Sequence, residues 1–190
     1  SNDTTSAQTT ARLSQARYNI AACSEESTKC YFVGGYQISI IVATADKLTY
    51  ATDTTLSQTS ANISQSRHSL AGCSGEGTRG YFAGGNTNNS VATADKLSYS
   101  TDTTSAQASA YLSQARTALA GLSEGMSKGY FAGGIDSNAT ALTDKLTFST
   151  DITVSQTTAN LSQARSSLAG ASEEYTSVFG NNCVFSGNIS

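Results

Sequence analysis

Short segments of the chain alternate between hydrophobic and polar residues with a period of two. In DKLTY (46–50), Leu48 and Tyr50 fall on one face and polar residues fall on the other. This alternation is typical of a β-strand with one buried face. Aromatic runs that end in Gly-Gly, such as YFAGG (81–85), predict a strand followed by a turn. The pattern therefore favours short strands.

The same segments recur at a nearly fixed interval. The sequence LSQAR, or its variant ISQSR, ends at four arginines that are 50, 49 and 49 residues apart, namely Arg17, Arg67, Arg116 and Arg165. A tyrosine-phenylalanine pair and a DKL segment follow three of these arginines in the same order. Such self-similarity predicts a repeat architecture. We interpret the chain as one domain of four units, 1–51, 52–100, 101–149 and 150–190, each with four strands.

A helix is the alternative for one stretch of each unit. The sequence SAQASAYLSQARTALAGL (105–122) fits a helix on propensity alone. The equivalent stretches of the other units are rich in Ser, Thr and Asn, which favour strands and turns over helix interiors. We therefore predict strands and turns here as well.

A unit of about 50 residues with four strands and a Gly-Gly pair resembles the kelch repeat. The matching residues are the glycine pairs 34–35, 84–85 and 133–134, the aromatic residues Tyr50, Tyr99 and Phe148, and the four repeated arginines. The usual tryptophan is missing, since the chain has none. The Ser/Thr-rich sequence of the repeat is similar to kelch-type repeats of bacterial, cyanobacterial and phage surface proteins. The resemblance implies an all-β fold, a β-propeller of four kelch-like four-stranded blades.

The fourth blade raises a question of closure. The chain has four LSQAR-type segments but three DKL segments, and the sequence after Val178 departs from the repeat. Either the C-terminal tail closes the ring or a second copy supplies the missing strand. The second alternative makes each molecule both donor and acceptor, and a head-to-tail contact that does not close grows into a filament.

Composition narrows the classes of function. Charged residues make up 13% of the chain, below the roughly 25% of an average soluble domain, and the net charge is -3. There is no basic block, so we expect no nucleic-acid partner. The longest apolar run, 38–45, is too short to span a membrane. The chain begins with Ser1, which we interpret as a trimmed or mature chain.

The four cysteines are candidates for disulfides. Cys23 and Cys30 flank a hairpin loop, which places them for a local link, and Cys73 then remains to pair with Cys183 within or between chains. Four cysteines allow three connectivities, and the sequence does not choose among them. Buried thiols are the alternative. A zinc site is not expected, because the Cys-x6-Cys spacing with one remote histidine is unusual for zinc.

Six asparagines head an Asn-x-Ser/Thr triplet and are glycosylation candidates: Asn2, Asn62, Asn88, Asn138, Asn160 and Asn188. A chain rich in Asn, Ser and Thr also produces such triplets by chance. Glycans would fit an exported protein.

The repeated arginines allow two interpretations. They could form a ring of cations around an anion in a propeller channel. They could instead fix neighbouring backbone by hydrogen bonds and ion pairs to Asp46, Asp95 and Asp144, the aspartates of the DKL segments. We favour the structural role, because a residue present in every unit usually serves the repeat.

The sequence offers few candidates for catalytic residues or for metal ligands. His68 is the only histidine and stands at a position that varies between units, so no ordinary catalytic triad is available. The Asp-Thr-Thr turns at Asp3, Asp53 and Asp102 lack the clustered carboxylates of a calcium loop, and a turn-capping role fits them better. We predict a protein that is not an enzyme and binds no cofactor or metal.

The leading hypothesis is a structural kelch-like propeller at the cell or virion surface or outside the cell. It would be a subunit of a filament or assembly, joined to other copies by head-to-tail strand pairing. The alternative is a glycan- or receptor-binding adhesin or phage-fibre module that uses the loops that differ between units: 36–42, 86–91 and 135–140. The most apolar of these loops supplies a candidate contact patch: Tyr36, Ile38, Ile40 and Ile41.

Overall fold

The computed structural model describes residues 6–172. Residues 21–57 form six strands: β1 (Ala21–Glu25), β2 (Lys29–Val33), β3 (Tyr36–Gln37), β4 (Ile40–Ile41), β5 (Ala45–Thr49) and β6 (Thr54–Ser57). Residues 71–106 form β7 (Ala71–Gly75), β8 (Arg79–Ala83), β9 (Ala94–Ser98) and β10 (Thr103–Ala106). Residues 120–155 form β11 (Ala120–Glu124), β12 (Lys128–Ala132), β13 (Thr143–Thr147) and β14 (Ile152–Ser155).

Short 3₁₀ turns complete the regular structure. They lie at Tyr50–Thr52, Thr59–Ala61, Ala108–Ala110 and Thr157–Ala159. Residues 6–172 contain no α-helix, so the stretch 105–122 folds as strand and turn. The all-β prediction is confirmed.

Three four-stranded antiparallel sheets form the body of the chain. Their strand orders are β1-β2-β5-β6, β7-β8-β9-β10 and β11-β12-β13-β14, and β3 and β4 pair separately. Each sheet is a meander, as expected for consecutive strands joined by short turns. A fourth four-stranded sheet was predicted for 150–190. In the described part of that unit, up to residue 172, the one strand is β14, which pairs with β13 of the third sheet and is followed by a 3₁₀ turn.

The sheets also cross the unit boundaries inferred from the sequence. The first sheet runs from Ala21 to Ser57, although the first unit was predicted to end at residue 51. The predicted boundary at 51/52 falls between β5 and β6, in the turn where Asp53 adopts a left-handed conformation with φ 49°. Aspartate tolerates this conformation at a tight turn.

Each sheet has two faces, which we name by the sheet they meet. The downstream face meets the next sheet, and the upstream face meets the preceding one. One buried cluster joins the downstream face of the first sheet to the upstream face of the second: Ala21, Cys23, Tyr31, Val33, Ala45, Ala61, Ile63, Leu70, Phe82, Leu97 and Tyr99. The equivalent residues of the next units form a second cluster between the second and third sheets. The core is therefore repeated between consecutive sheets.

A bridging segment lies at the edge of each interface and belongs to the LSQAR region. Residues 61–70 bridge the first and second sheets, and 110–119 bridge the second and third. Arg67 accepts a backbone hydrogen bond from the Gly35 amide at 3.0 Å, while its side chain reaches the second sheet. The equivalent segments 11–20 and 159–168 lie at the two ends of the described chain, with a sheet on one side of each.

Candidate functional site

The side chains of three of the four repeated arginines are buried, and each contacts an aspartate of the sheet that follows it in the chain. The arginine-aspartate pairs are Arg17–Asp46 at 2.8 Å, Arg67–Asp95 at 2.6 Å and Arg116–Asp144 at 2.8 Å. All six side chains are fully shielded from solvent. Each arginine also donates to the carbonyl oxygen of the phenylalanine that follows the repeated tyrosine. This arrangement locks the bridging segment to its sheet.

A second charged group lies between the first and second sheets. Asp102, which follows β9, accepts hydrogen bonds from Lys29 at 2.8 Å, from Lys47 at 2.6 Å and from the Tyr31 hydroxyl. Burial by itself would raise the pKa of Asp102, but these hydrogen bonds outweigh it and lower the pKa to about 2. The downstream face of the first sheet thus holds a carboxylate that the second sheet supplies.

The same group recurs between the second and third sheets. Asp151 accepts from Lys96 at 2.6 Å and from the Tyr81 hydroxyl, and Arg79 lies 3.6 Å from its carboxylate. Burial opposes ionisation here too, yet the hydrogen bonds lower the pKa of Asp151. Two equivalent interfaces therefore each use two cations, a tyrosine and an aspartate, with Arg79 in the place of Lys29.

Stacked aromatic rings accompany each of these groups. Tyr31 stacks on Tyr99 with ring centroids 5.9 Å apart, and Tyr81 stacks on Phe148 at 5.6 Å. In both pairs the planes differ by 6°. All four rings are fully buried. Offset stacking of this kind adds to the stability gained from burial.

The downstream face of the third sheet repeats the two cations and the tyrosine that bind the aspartate in the earlier interfaces. Lys128, Tyr130 and Lys145 stand where the earlier sheets hold their aspartate, and within residues 6–172 no carboxylate from another sheet contacts them. Tyr130 is partly exposed, whereas the equivalent tyrosines are buried. Arg165 is exposed, unlike Arg116.

The upstream face of the first sheet carries the residues that the second and third sheets contribute to an interface with the preceding sheet. Phe32, Leu48 and Tyr50 are partly exposed, although their equivalents in the next two sheets are fully buried. Asp53, the equivalent of Asp102, is exposed at the end of this sheet. The two end faces therefore carry different groups, and the cations of one are complementary to the aspartate of the other.

The variable loops form a separate surface along one end of the sheets. Each loop begins with an antiparallel backbone bridge, Tyr18 to Tyr36, His68 to Asn86 and Thr117 to Ile135. The turns beside these bridges hydrogen-bond in sequence, because Ser69 donates to Asn19 at 2.7 Å, Ala118 donates to Ser69 at 2.8 Å and Ser167 donates to Ala118 at 2.8 Å. The loops of successive units consequently lie side by side.

The predicted contact patch lies on this surface. Tyr36, Ile38, Ile40 and Ile41 belong to the β3-β4 hairpin, and Ile38 is 90% exposed at a positive φ of 51°. The Tyr36 ring contacts Tyr18 at 5.5 Å and His68 at 5.4 Å between centroids. Burial lowers the pKa of His68. An exposed isoleucine tip therefore stands beside an aromatic cluster.

The expected Cys23–Cys30 disulfide is not formed. Cys23, Cys30 and Cys73 are buried free thiols. Cys23 lies opposite Tyr31 and Cys30 lies opposite Ser24, so the two cysteines project from opposite faces of the sheet. Burial raises the pKa of Cys23 to about 12. Cys183 lies outside the described residues.

The glycosylation candidates occupy two different environments. Asn88 and Asn138 are on exposed loops. Asn62 and Asn160 accept backbone hydrogen bonds at 2.8 and 2.9 Å and so fix the chain between sheets. Asn2 and Asn188 lie outside the described residues.

Sequence reasoning missed the group of two cations, tyrosine and aspartate. Its signal was present, since the lysine of each of the three DKL segments is followed six residues later by the aspartate of a turn. Within 6–172 no set of three His, Cys, Asp or Glu residues is arranged to hold a metal ion. None of the helical turns in that part of the chain has the length and apolar character needed to cross a membrane.

Comparisons with protein-family models and with curated proteins gave no match to this chain.

Proposed function

We propose that this chain is an extracellular structural protein, a kelch-like β-propeller subunit that associates head to tail with further copies of itself. Three features support the kelch-like propeller: four-stranded meander sheets, a Gly-Gly pair after each second strand, and face-to-face packing of successive sheets. The low charge and the exposed Asn88 and Asn138 are consistent with a surface location.

One observation carries the assembly. Lys128, Tyr130 and Lys145 present a carboxylate-binding group, and Asp53 is the exposed aspartate of the matching type. In the two internal interfaces this group binds the aspartate with contacts of 2.6 to 2.8 Å to lysine. A second copy that docks its first sheet on the third sheet would place Asp53 there and Tyr50 over Tyr130.

The contact is between two different surfaces, so it continues from copy to copy. A heterologous contact forms a ring when its rotation closes and a filament when it does not. It uses sheet faces, whereas the sequence suggested strand pairing. The proposed closure of the ring by the C-terminal tail concerns residues outside the described part of the chain.

Docking requires one terminal segment to leave. Residues 11–20 and 159–168 hold equivalent places, and one interface has room for a single bridging segment. Retaining 11–20 preserves the buried Arg17–Asp46 pair and the contact between Tyr18 and Tyr36. We therefore expect association to release 159–172 of the receiving copy, because Gly170 and Ser172 contact β11 where β1 of the docked copy would lie. Release should speed hydrogen exchange of the Leu161 and Arg165 amides, which now bond to Ala141 and Thr140.

Sedimentation velocity over a range of concentrations tests the assembly. Asp53→Asn removes the proposed interfacial charge, and we expect the dissociation constant to rise about tenfold or more. Asp136→Asn changes the same charge on an exposed loop and serves as the control, with no expected effect. A chain that stays monomeric at every concentration contradicts the proposal, and so does equal association of the two variants.

The second candidate function is recognition of a glycan or receptor by the loop surface. It is favoured by the cluster of Tyr18, Tyr36 and His68 beside the exposed Ile38. Aromatic rings with adaptable polar neighbours are typical of recognition surfaces. On a glycan array, Tyr36→Ala should abolish any binding that the unmodified chain shows, while Asp53→Asn leaves it intact. Binding that survives Tyr36→Ala would exclude this surface.

A further inference from the structure

The first strands of the three sheets, β1, β7 and β11, which we call the inner strands, approach so closely that their contact point requires glycine. A Cβ atom at Gly72 would lie 2.1 Å from the Ala22 carbonyl oxygen, and one at Gly121 would lie 2.2 Å from that of Gly72. The same holds at Gly170, where a Cβ would lie 2.2 Å from the Gly121 oxygen. Cβ atoms do not approach backbone oxygens this closely, so a side chain here forces the sheets apart.

A second position on the upstream face has the same requirement. A Cβ atom at Gly80 would lie 2.4 Å from the Cys23 sulfur, and one at Gly129 would lie 2.6 Å from the Cys73 sulfur. Both glycines belong to the strand that carries the repeated tyrosine. Each therefore faces a side chain of the preceding sheet.

The first unit departs from glycine at both positions. Ala22 stands where the later units have Gly72 and Gly121, and Cys30 stands where they have Gly80 and Gly129. In the described chain no sheet precedes the first one, so neither side chain meets an obstacle there. Docked on a third sheet from which 159–172 has been released, Ala22 would replace Gly170 against the Gly121 oxygen, and Cys30 would meet Leu122, the equivalent of Cys23 and Cys73.

We propose that Ala22 and Cys30 form a steric brake that weakens head-to-tail association of this chain. The inference rests on the proposed function, because it concerns the same two end faces. The charged and aromatic groups of those faces attract each other, whereas the alanine methyl and the cysteine side chain keep the inner strands from closing. The contact between copies is consequently looser than the two interfaces inside each copy.

The brake has a clear physical use. A subunit with two complementary end faces is prone to uncontrolled growth, and proteins limit such growth by placing obstructive residues at the contact surface. Two small side chains are enough here, since overpacking of a close contact is unfavourable even for single methyl groups.

The test compares association of the full chain with that of Ala22→Gly/Cys30→Gly, with reductant present throughout. We expect the double variant to associate about tenfold more tightly or better. Adding Asp53→Asn to it should weaken association again. Ala106→Gly, an exposed alanine of β10, is the control for a strand glycine and should leave association unchanged.

A second variant removes the obstacle from the other side. Leu122→Ala makes room for Cys30 without introducing a glycine into the first sheet, and it should also tighten association. If neither variant tightens association while Asp53→Asn still weakens it, the brake is refuted and the assembly stands. If Asp53→Asn has no effect on any of these proteins, the assembly itself is refuted and the brake with it.

Discussion

The downstream faces of the second and third sheets carry nearly the same residues in different surroundings. On the second sheet Tyr81 is fully buried and its hydroxyl donates to Asp151, whereas Tyr130 on the third sheet is partly exposed. The residues agree, but a following sheet covers the first of these faces, and residues 6–172 contain no sheet that covers the second. Each interface is thus completed by the following unit, so stability resides in contacts between neighbours.

The largest expected difference in the free energy of unfolding is between substitutions of two equivalent arginines. Arg116→Ala would leave Asp144 buried without its partner, and we expect a loss of about 3–5 kcal/mol in the free energy of unfolding. Arg165→Ala should change that free energy by less than about 0.5 kcal/mol, because Arg165 is exposed. Urea unfolding followed by circular dichroism measures both. Equal losses would show that the two arginines share one environment and would contradict the comparison.

The aromatic pairs give a smaller effect of the same kind. Phe148 is fully buried and stacks on Tyr81, so Phe148→Leu should cost about 1–2 kcal/mol. Tyr50, its equivalent on the first sheet, is partly exposed, and Tyr50→Leu should cost less than about 0.5 kcal/mol. Thermal unfolding of the dilute protein distinguishes the two. A cost for Tyr50→Leu as large as that for Phe148→Leu would mean that the upstream face is already covered.

Periodicity along the chain predicted what lies within one sheet. The alternation in DKLTY placed Leu48 and Tyr50 on one face, and the recurrence of arginine and aspartate at nearly the same spacing anticipated the ion pair of Arg116 with Asp144. These residues belong to one unit, so their relation follows from the repeat. Contacts between units were not predicted, because Tyr31 and Asp102 are 71 residues apart and meet only when sheets pack.

The disulfide hypothesis failed for a different reason. A hairpin loop between Cys23 and Cys30 suggested proximity, but spacing does not fix the register of the two strands. A shift of one residue reverses the face on which a side chain lies. In the observed register Cys23 faces the second sheet near Gly80, and Cys30 lies on the other face.

The pH dependence of stability gives the smallest expected effect and tests a single carboxylate. Hydrogen bonds from Lys29, Lys47 and Tyr31 outweigh the effect of burial and lower the pKa of Asp102 to about 2, below the value near 3.9 of an unfolded aspartate. The stability due to this group is fully present above about pH 4 and is lost as the pH falls toward 2. Its amount is about 1 kcal/mol or less, because the group remains partly solvated.

Asp102→Asn should therefore lower stability at neutral pH and flatten the decline between pH 4 and pH 2. The difference between the two proteins isolates Asp102 from the other carboxylates that titrate in this range. Asp136→Asn, on an exposed loop, should leave the decline as steep as in the unmodified chain. An undiminished decline in Asp102→Asn would mean that the lysines of one sheet do not hold the aspartate of the next, and the reason to expect the same bond at Tyr130 would disappear.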